Sequence, residues 1–202
     1  MSKHPKHAKA DHEILDVIRE RWSPRAFDPA RPVGRGELLR LFEAARWAPS
    51  SRNEQPWRVV VARRDESPDA FAALAGTLTG RNPDWARAAP VLMLITVRTT
   101  HERDESENHV AFYDAGQAMA LLTIQATAMG LALRQMAAFD RALARTVAEV
   151  PSPFEPAVMV AIGYRGRPEA LSHGSHREAE EQPRARRAVE EFVFGGKWGR
   201  RF

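Results

Sequence analysis

Apolar and polar positions change their spacing several times along this chain, and each change predicts an element. Leu38, Leu39, Leu41, Phe42 and Ala45 recur at helical spacing and predict a helix over Gly36 to Trp47, ended by Pro49. Before it, Asp11 offers an N-cap for a short helix that would bury Ile14, Leu15 and Ile18 on one side. Between the two, Pro24, Pro29 and Pro32 forbid a continuous helix over Arg21 to Val33 and predict an extended, pinned segment. The near-continuous apolar run Trp57 to Ala62 reads as a strand in a central position, and Val91 to Val97 as another. Ser67 and Pro68 start a helix that runs to about Leu78.

From His109 to Met129 the sequence is rich in Ala, Met, Leu and Ile with few charges. A helix that is polar on no face is buried on all sides, so this one is expected to be central or covered by another subunit. Gly130 stops it, Leu131 to Met136 forms a short strand, Asp140 caps a further helix and Ala157 to Ile162 is the last strand. Residues 165–184 read as polar and irregular, and Ala185 to Phe194 as a closing helix. The resulting class is α+β, a central mixed sheet packed on a long buried helix. Residues 1–10 read as a flexible polar arm and residues 11–202 as a single domain.

Composition narrows the chemistry. The 202 residues include no cysteine, which excludes thiolate nucleophiles, thiolate metal sites and disulfide exchange, so redox work needs an external cofactor. Lys and Arg outnumber Asp and Glu by 30 to 26, but the charges are mixed along the chain, and no nucleic-acid partner is expected. No apolar run reaches the roughly 20 residues of a membrane span. The basic N-terminus lacks a secretory core, and a cytoplasmic location without membrane contact is the expectation. The seven histidines form no metal motif, and no nucleotide-binding glycine loop is present.

Three groups of residues could carry chemistry. Arg21, Ser23 and Arg25 lie two apart, so an extended backbone puts them on one face, where two guanidiniums and a hydroxyl suit a phosphate. The same spacing also fits solvated surface charge; a second basic cluster, Arg184, Arg186 and Arg187, favours the phosphate reading. Ala48 to Trp57 holds polar groups between two prolines, either preorganised for a planar ligand or serving as a capped turn. Asp114 and Gly116 interrupt the apolar helix at a cost that asks for a reason: a close neighbour for Asp114, helix packing for Gly116.

Together these words resemble the nitroreductase family. Arg21-Trp22-Ser23-Pro24-Arg25-Ala26-Phe27 is similar to its opening R-x-S-x-R-x-F, and Ala48 to Trp57 to its A-P-S-x-x-N-x-Q-P-W element. Asp114-Ala115-Gly116 with Ala126 and Gly130-Leu131 resembles its central-helix pattern, Gly163-Tyr164 its last core strand, and Arg184 to Glu191 its C-terminal basic element. The resemblance implies an intertwined homodimer with FMN at the interface. It implies that Arg21, Ser23, Arg184 and Arg186 hold the phosphate, that Pro49, Ser50 and Asn53 contact the ring or ribityl chain, and that Arg25 approaches the N1–O2 edge. A backbone N–H at Ala137 or Ala138 would face N5, although Gly130 to Asp140 lacks both family variants of this segment. The implied activity is ping-pong hydride transfer from NADH or NADPH, through flavin N5, to a small-molecule acceptor, nitroaromatic or quinone-like. Ene, flavin and dehalogenating reductases share the fold, and a non-catalytic flavin-binding protein is the alternative outside enzymes.

Overall fold

The computed structural model describes residues 4–202. Its elements in order are α1 (Asp16–Glu20), α2 (Arg35–Arg46), β1 (Trp57–Arg63), α3 (Pro68–Gly76), α4 (Pro83–Ala86), β2 (Val91–Arg98), α5 (Ala111–Ala128), β3 (Ala132–Met136), α6 (Arg141–Val147), β4 (Phe154–Gly163) and α7 (Gly174–Glu181). The four strands form one sheet in the order β1-β2-β4-β3, and every neighbouring pair is antiparallel. The class is α+β as expected, but the sheet is not mixed. Side-chain periodicity identifies strands without giving their direction, which is set by how the connections bring distant segments back to the sheet.

Helices cover both faces of the sheet. On one face α3, α4 and α6 pack through Phe71, Leu74, Trp85 and Ala144 onto Leu92, Leu94, Met159 and Ala161. On the other, α2 and α5 pack through Leu38, Leu41, Met119 and Leu122 onto Val91, Met93, Ile95, Val160 and Ile162. Alternate residues of β2 therefore enter different cores, which is why the strand is apolar at almost every position. A fully buried leucine such as Leu122 contributes about 1.5–3 kcal/mol relative to its exposed state. β1 is an edge strand and not a central one. Its apolar run follows from packing on both faces, Val60 and Ala62 toward one core and Val59 and Val61 toward the other, which needs only one strand neighbour.

Other expectations change at the ends of elements. α1 starts at Asp16, five residues after the expected cap, and buries nothing; Leu15 is 69% exposed. Residues 165–184 are not irregular throughout, because α7 occupies Gly174–Glu181 and buries His176 and Glu180. The helix expected over Ala185 to Phe194 shrinks to a single 3-10 turn, Val189–Glu191. Asp140 does cap α6, its carboxylate accepting the N–H of Leu143 at 2.9 Å. Gly130 ends α5 at φ +74, a left-handed conformation that favours glycine.

The long helix α5 buries one side only. Ala111, Ala115, Ala118, Met119, Leu122 and Ala126 face the core, while Phe112, Tyr113 and Leu121 are exposed. Gly116 lies on the outer side with open space where a Cβ would stand, so within this chain it serves no helix packing. No helix among the described residues is long and apolar enough to cross a membrane.

Candidate functional site

The segment after α1 runs extended along the end of β4. The N–H of Asp28 donates to the Tyr164 carbonyl, and the N–H of Gly166 to that of Ala26, both at 2.9 Å. Extended geometry makes the side chains alternate: Trp22, Pro24 and Ala26 are buried, while Arg21, Ser23 and Arg25 lie half-buried on the other side. Arg21 Nη1 donates to Ser23 Oγ at 3.0 Å, so the face inferred from spacing exists as a joined pair. Arg25 makes no side-chain hydrogen bond among the described residues, while its backbone N–H donates to the Glu180 carboxylate at 2.9 Å.

The C-terminal basic cluster meets this segment. Arg184 donates through Nη1 to the Arg21 carbonyl and through Nη2 to the Arg19 carbonyl, the latter at 2.7 Å. It thereby ties the chain beyond α7 to α1 and the residue after it, and its buried Nε has no partner among the described residues. Arg186 joins the same pocket and, among the described residues, its side chain donates only to the carbonyl of its neighbour Ala185. Arg187 does not line the pocket.

The pocket measures about 190 Å³ and is lined by Lys6, Arg21, Arg25, Arg134, Arg184 and Arg186, with Ser23, Trp22, Ala179 and Glu180. Six basic side chains thus face one acid. Burial, with Arg186 beside it, holds the Arg21 guanidinium below its usual value. Burial, then Arg21 and Arg186, does the same to Arg184. Arg134, which donates to the Ser23 carbonyl at 2.6 Å, is pushed down to about 10 by burial first and by Arg25 second. Burial pushes the Glu180 carboxyl up, against the pull of backbone N–H groups and of Arg25 and Arg134. Partly dehydrated cations that repel one another favour a multiply charged anion among them.

The loop between α2 and β1 is built differently. Arg52, Asn53 and Gln55 all have positive φ, at 53, 58 and 46°, which is costly for residues with side chains and clusters at functional positions. Side-chain acceptors help hold the shape: Ser50 Oγ accepts the Gln55 N–H at 3.0 Å, and Asp114 in α5 accepts the Ser51 N–H at 2.9 Å. The second is the close neighbour that the buried Asp114 asked for. Pro49 and Asn53 are exposed and Ser50 half-buried, and none of the three lines the basic pocket.

Ala137 and Ala138 follow β3 and are exposed. The Ala138 carbonyl accepts the Thr79 N–H at 3.2 Å and the Asn82 amide at 3.0 Å, which fixes the turn. Arg134, on β3 three residues before Ala137, links this turn to the basic pocket over roughly 10 Å of chain. Within one chain, Arg21, Ser23, Arg25, Arg184 and Arg186 come together, whereas Pro49, Ser50 and Asn53 stand apart from them. Lys6, Arg134 and Glu180 were not expected. A charged residue at Arg134, in a strand otherwise bounded by Leu133 and Met136, was the signal that could have found one of them.

Comparison with known proteins supplies a context for this geometry. A family model described as Nitroreductase family matches residues 18–164. An uncharacterized 15.4 kDa protein of Mycolicibacterium smegmatis is 36% identical over 149 residues, covering 70% of this chain and 97% of that protein. The oxygen-insensitive NAD(P)H nitroreductase of Salmonella typhimurium is 34% identical over 68 residues, covering 33% of this chain and 31% of that enzyme. A crystal structure of an oxidoreductase containing FMN matches with a TM-score of 0.89 at 28% identity, with 100% of both chains covered.

Proposed function

The chain belongs to the nitroreductase family, and from that premise we propose that it is an FMN-dependent oxidoreductase working as a homodimer. The observation that carries this reading is the pocket where Lys6, Arg21, Arg25, Arg134, Arg184 and Arg186 face the single acid Glu180. A phosphate monoester dianion fits that donor set in charge and in hydrogen-bonding capacity. Arg21 and Ser23 offer converging donors, Arg186 a guanidinium with free N–H groups, and Arg184 its unpartnered Nε.

Bound there, FMN would supply a two-electron carrier whose N5 takes hydride from NADH or NADPH and passes it to a nitroaromatic or quinone-like acceptor in a ping-pong sequence. The chain's own part is to bind, orient and balance charge. Arg25, without a side-chain hydrogen bond among the described residues, is the cation available for negative charge that develops on the ring, and a backbone N–H at Ala137 or Ala138 is the donor toward N5. Pro49, Ser50 and Asn53 stand outside the basic pocket of their own chain, so the reading assigns them to the ring bound by a partner subunit. The exposed apolar side of α5 and the exposed Trp198 and Phe202 of the C-terminal tail are the surfaces for that partner.

The test is direct. Purified protein should be yellow or should take up added FMN, and NADH or NADPH should bleach the bound flavin under anaerobic conditions. A protein that takes up no FMN overturns the reading; a bound flavin that neither nucleotide reduces makes the chain a flavin carrier instead.

A further inference from the structure

Lys6 is the least expected member of the basic pocket, coming from a segment whose sequence is polar and without pattern. Residues 4–8 lie along α1 and the extended segment after it. The His4 ring stacks on Trp22 with centroids 5.4 Å apart, and the Ala8 N–H donates to the Arg19 carbonyl at 2.8 Å. Between them, Lys6 passes inward and is only 8% exposed. Lysine is seldom buried to this extent unless its charge is paired.

The pairing here is incomplete. An ammonium carries three donors, and among the described residues Nζ makes one hydrogen bond, to the Ala179 carbonyl, beside the Trp22 ring at 5.6 Å. Burial holds the ammonium below its usual value. Glu180 pulls the other way, and Arg184, Arg25 and Arg134 add to the depression. Lys6 therefore stands desolvated among three guanidiniums, with two of its three N–H donors lacking an acceptor among the described residues, and it lines the same pocket as those guanidiniums. A simple staple for the N-terminal segment would be cheaper with an apolar side chain against Trp22.

We propose that Lys6 is a direct ligand of the flavin phosphate, and that residues 4–8 close over the phosphate end of the site. The inference rests on the flavin-nucleotide reading above. It assigns the N-terminal segment to the cofactor site, where it adds a fifth side chain to Arg21, Ser23, Arg184 and Arg186. Among the described residues the segment holds to the body through the His4–Trp22 stack, the Lys6 ammonium over the same ring, and hydrogen bonds from Lys6 and Ala8, a small set of contacts that opening for the nucleotide would break and closing on the phosphate would restore.

FMN and riboflavin share the ring and ribityl chain and differ in the phosphate, so they separate the two roles of Lys6. In the chain of 202 residues, Lys6→Met should weaken FMN binding about 10- to 100-fold, the range for one charge-assisted bond. Riboflavin binding should not change, and Lys6→Arg should recover most of the FMN affinity. In the wild type, FMN should slow tryptic cleavage after Lys9, a readout independent of riboflavin affinity, and Lys6→Met should remove that protection. Equal weakening of FMN and riboflavin, or FMN affinity and protection both unchanged by Lys6→Met, would overturn the proposal. A wild-type protein that binds no FMN defeats the flavin reading itself and is told apart from both.

Discussion

Asp114, buried in the first turn of α5, accepts the backbone N–H of Ser51 at 2.9 Å and so fastens the strained loop to the longest helix. Three non-glycine residues of that loop hold positive φ, a conformation that persists only where the surroundings impose it. The carboxylate also sits at the helix end that favours negative charge. Asp114→Ala removes a bond to a charged acceptor and should cost about 2 kcal/mol, within the usual range for such bonds. In a chain of this size that corresponds to roughly 4–8 °C in Tm. Asp114→Asn keeps an acceptor and should lose less. Thermal unfolding of the three proteins decides it, and an alanine variant as stable as the wild type would mean the loop holds its shape without the tether.

Glu180 offers a pH-dependent test. Burial raises its carboxyl above the ordinary 4.5, so the folded chain binds the proton more tightly than the unfolded one. The sign follows: its favourable contribution is complete below about 4.5 and is lost as pH rises through the folded value. Glu180→Gln keeps an oxygen to accept the Arg25 N–H and removes the titration. Relative to wild type, the variant should gain stability as pH increases from 4.5 toward 7, and at neutral pH it should bind FMN more tightly because one negative charge has left the basic pocket. Urea denaturation across that range, with flavin titration at pH 7, measures both. A stability difference independent of pH would show that the carboxyl does not titrate as its burial implies.

The helices and strands that were readable in the sequence are those whose burial is decided locally. α2 follows from Leu38, Leu41 and Ala45, β2 from alternate residues entering two cores, and α6 from its Asp140 cap. Arg21, Ser23 and Arg25 were readable because an extended, proline-pinned backbone converts spacing into a face, and the burial of Trp22 and Ala26 completes it. Strand direction and the edge position of β1 were not readable, since both depend on how distant segments meet. Lys6 and Arg134 depend on the same thing. One is buried by Trp22 and Ala179, the other held at the Ser23 carbonyl beside Trp85, and neither neighbour lies close in sequence. The isolated apolar residues Ile14, Leu15 and Ile18 misled for the opposite reason, suggesting a buried helix face where the described residues leave Leu15 and Ile18 exposed.

The outer side of α5 motivates a prediction about assembly. Tyr113 is 72% exposed and Leu121, about two turns further along the helix, is 38% exposed, while Gly116 has open space where a Cβ would stand. Sedimentation of the wild type should give twice 22.7 kDa. Leu121→Asp places a charge in that surface and should weaken association by roughly 2 kcal/mol or more, the scale of a central interface residue. If the loop at Ser50 and Asn53 serves the partner's flavin, FMN affinity should fall with the dimer while far-ultraviolet circular dichroism stays the same. A wild-type monomer that retains full flavin affinity would refute the shared site.

Arg25 carries the most specific chemical prediction. It shares a face with Arg21 and Ser23, yet its guanidinium has no side-chain hydrogen bond among the described residues, whereas Arg21 is engaged with Ser23. Two-electron reduction of a bound flavin places negative charge near the N1–O2 edge, and a fixed cation there favours the reduced form over the neutral oxidised one. Arg25→Met keeps much of the bulk and removes the charge. It should therefore lower the midpoint potential and slow reduction by NADH or NADPH, with FMN affinity much less affected than by Arg21→Ala. Each 1.4 kcal/mol of differential stabilisation lost corresponds to about 30 mV in a two-electron potential. Spectroelectrochemistry and stopped-flow reduction at saturating FMN supply the comparison. A collapse of FMN affinity with potential and rate unchanged would place Arg25 at the phosphate beside Arg21, and the ring would then have to lie farther from this segment.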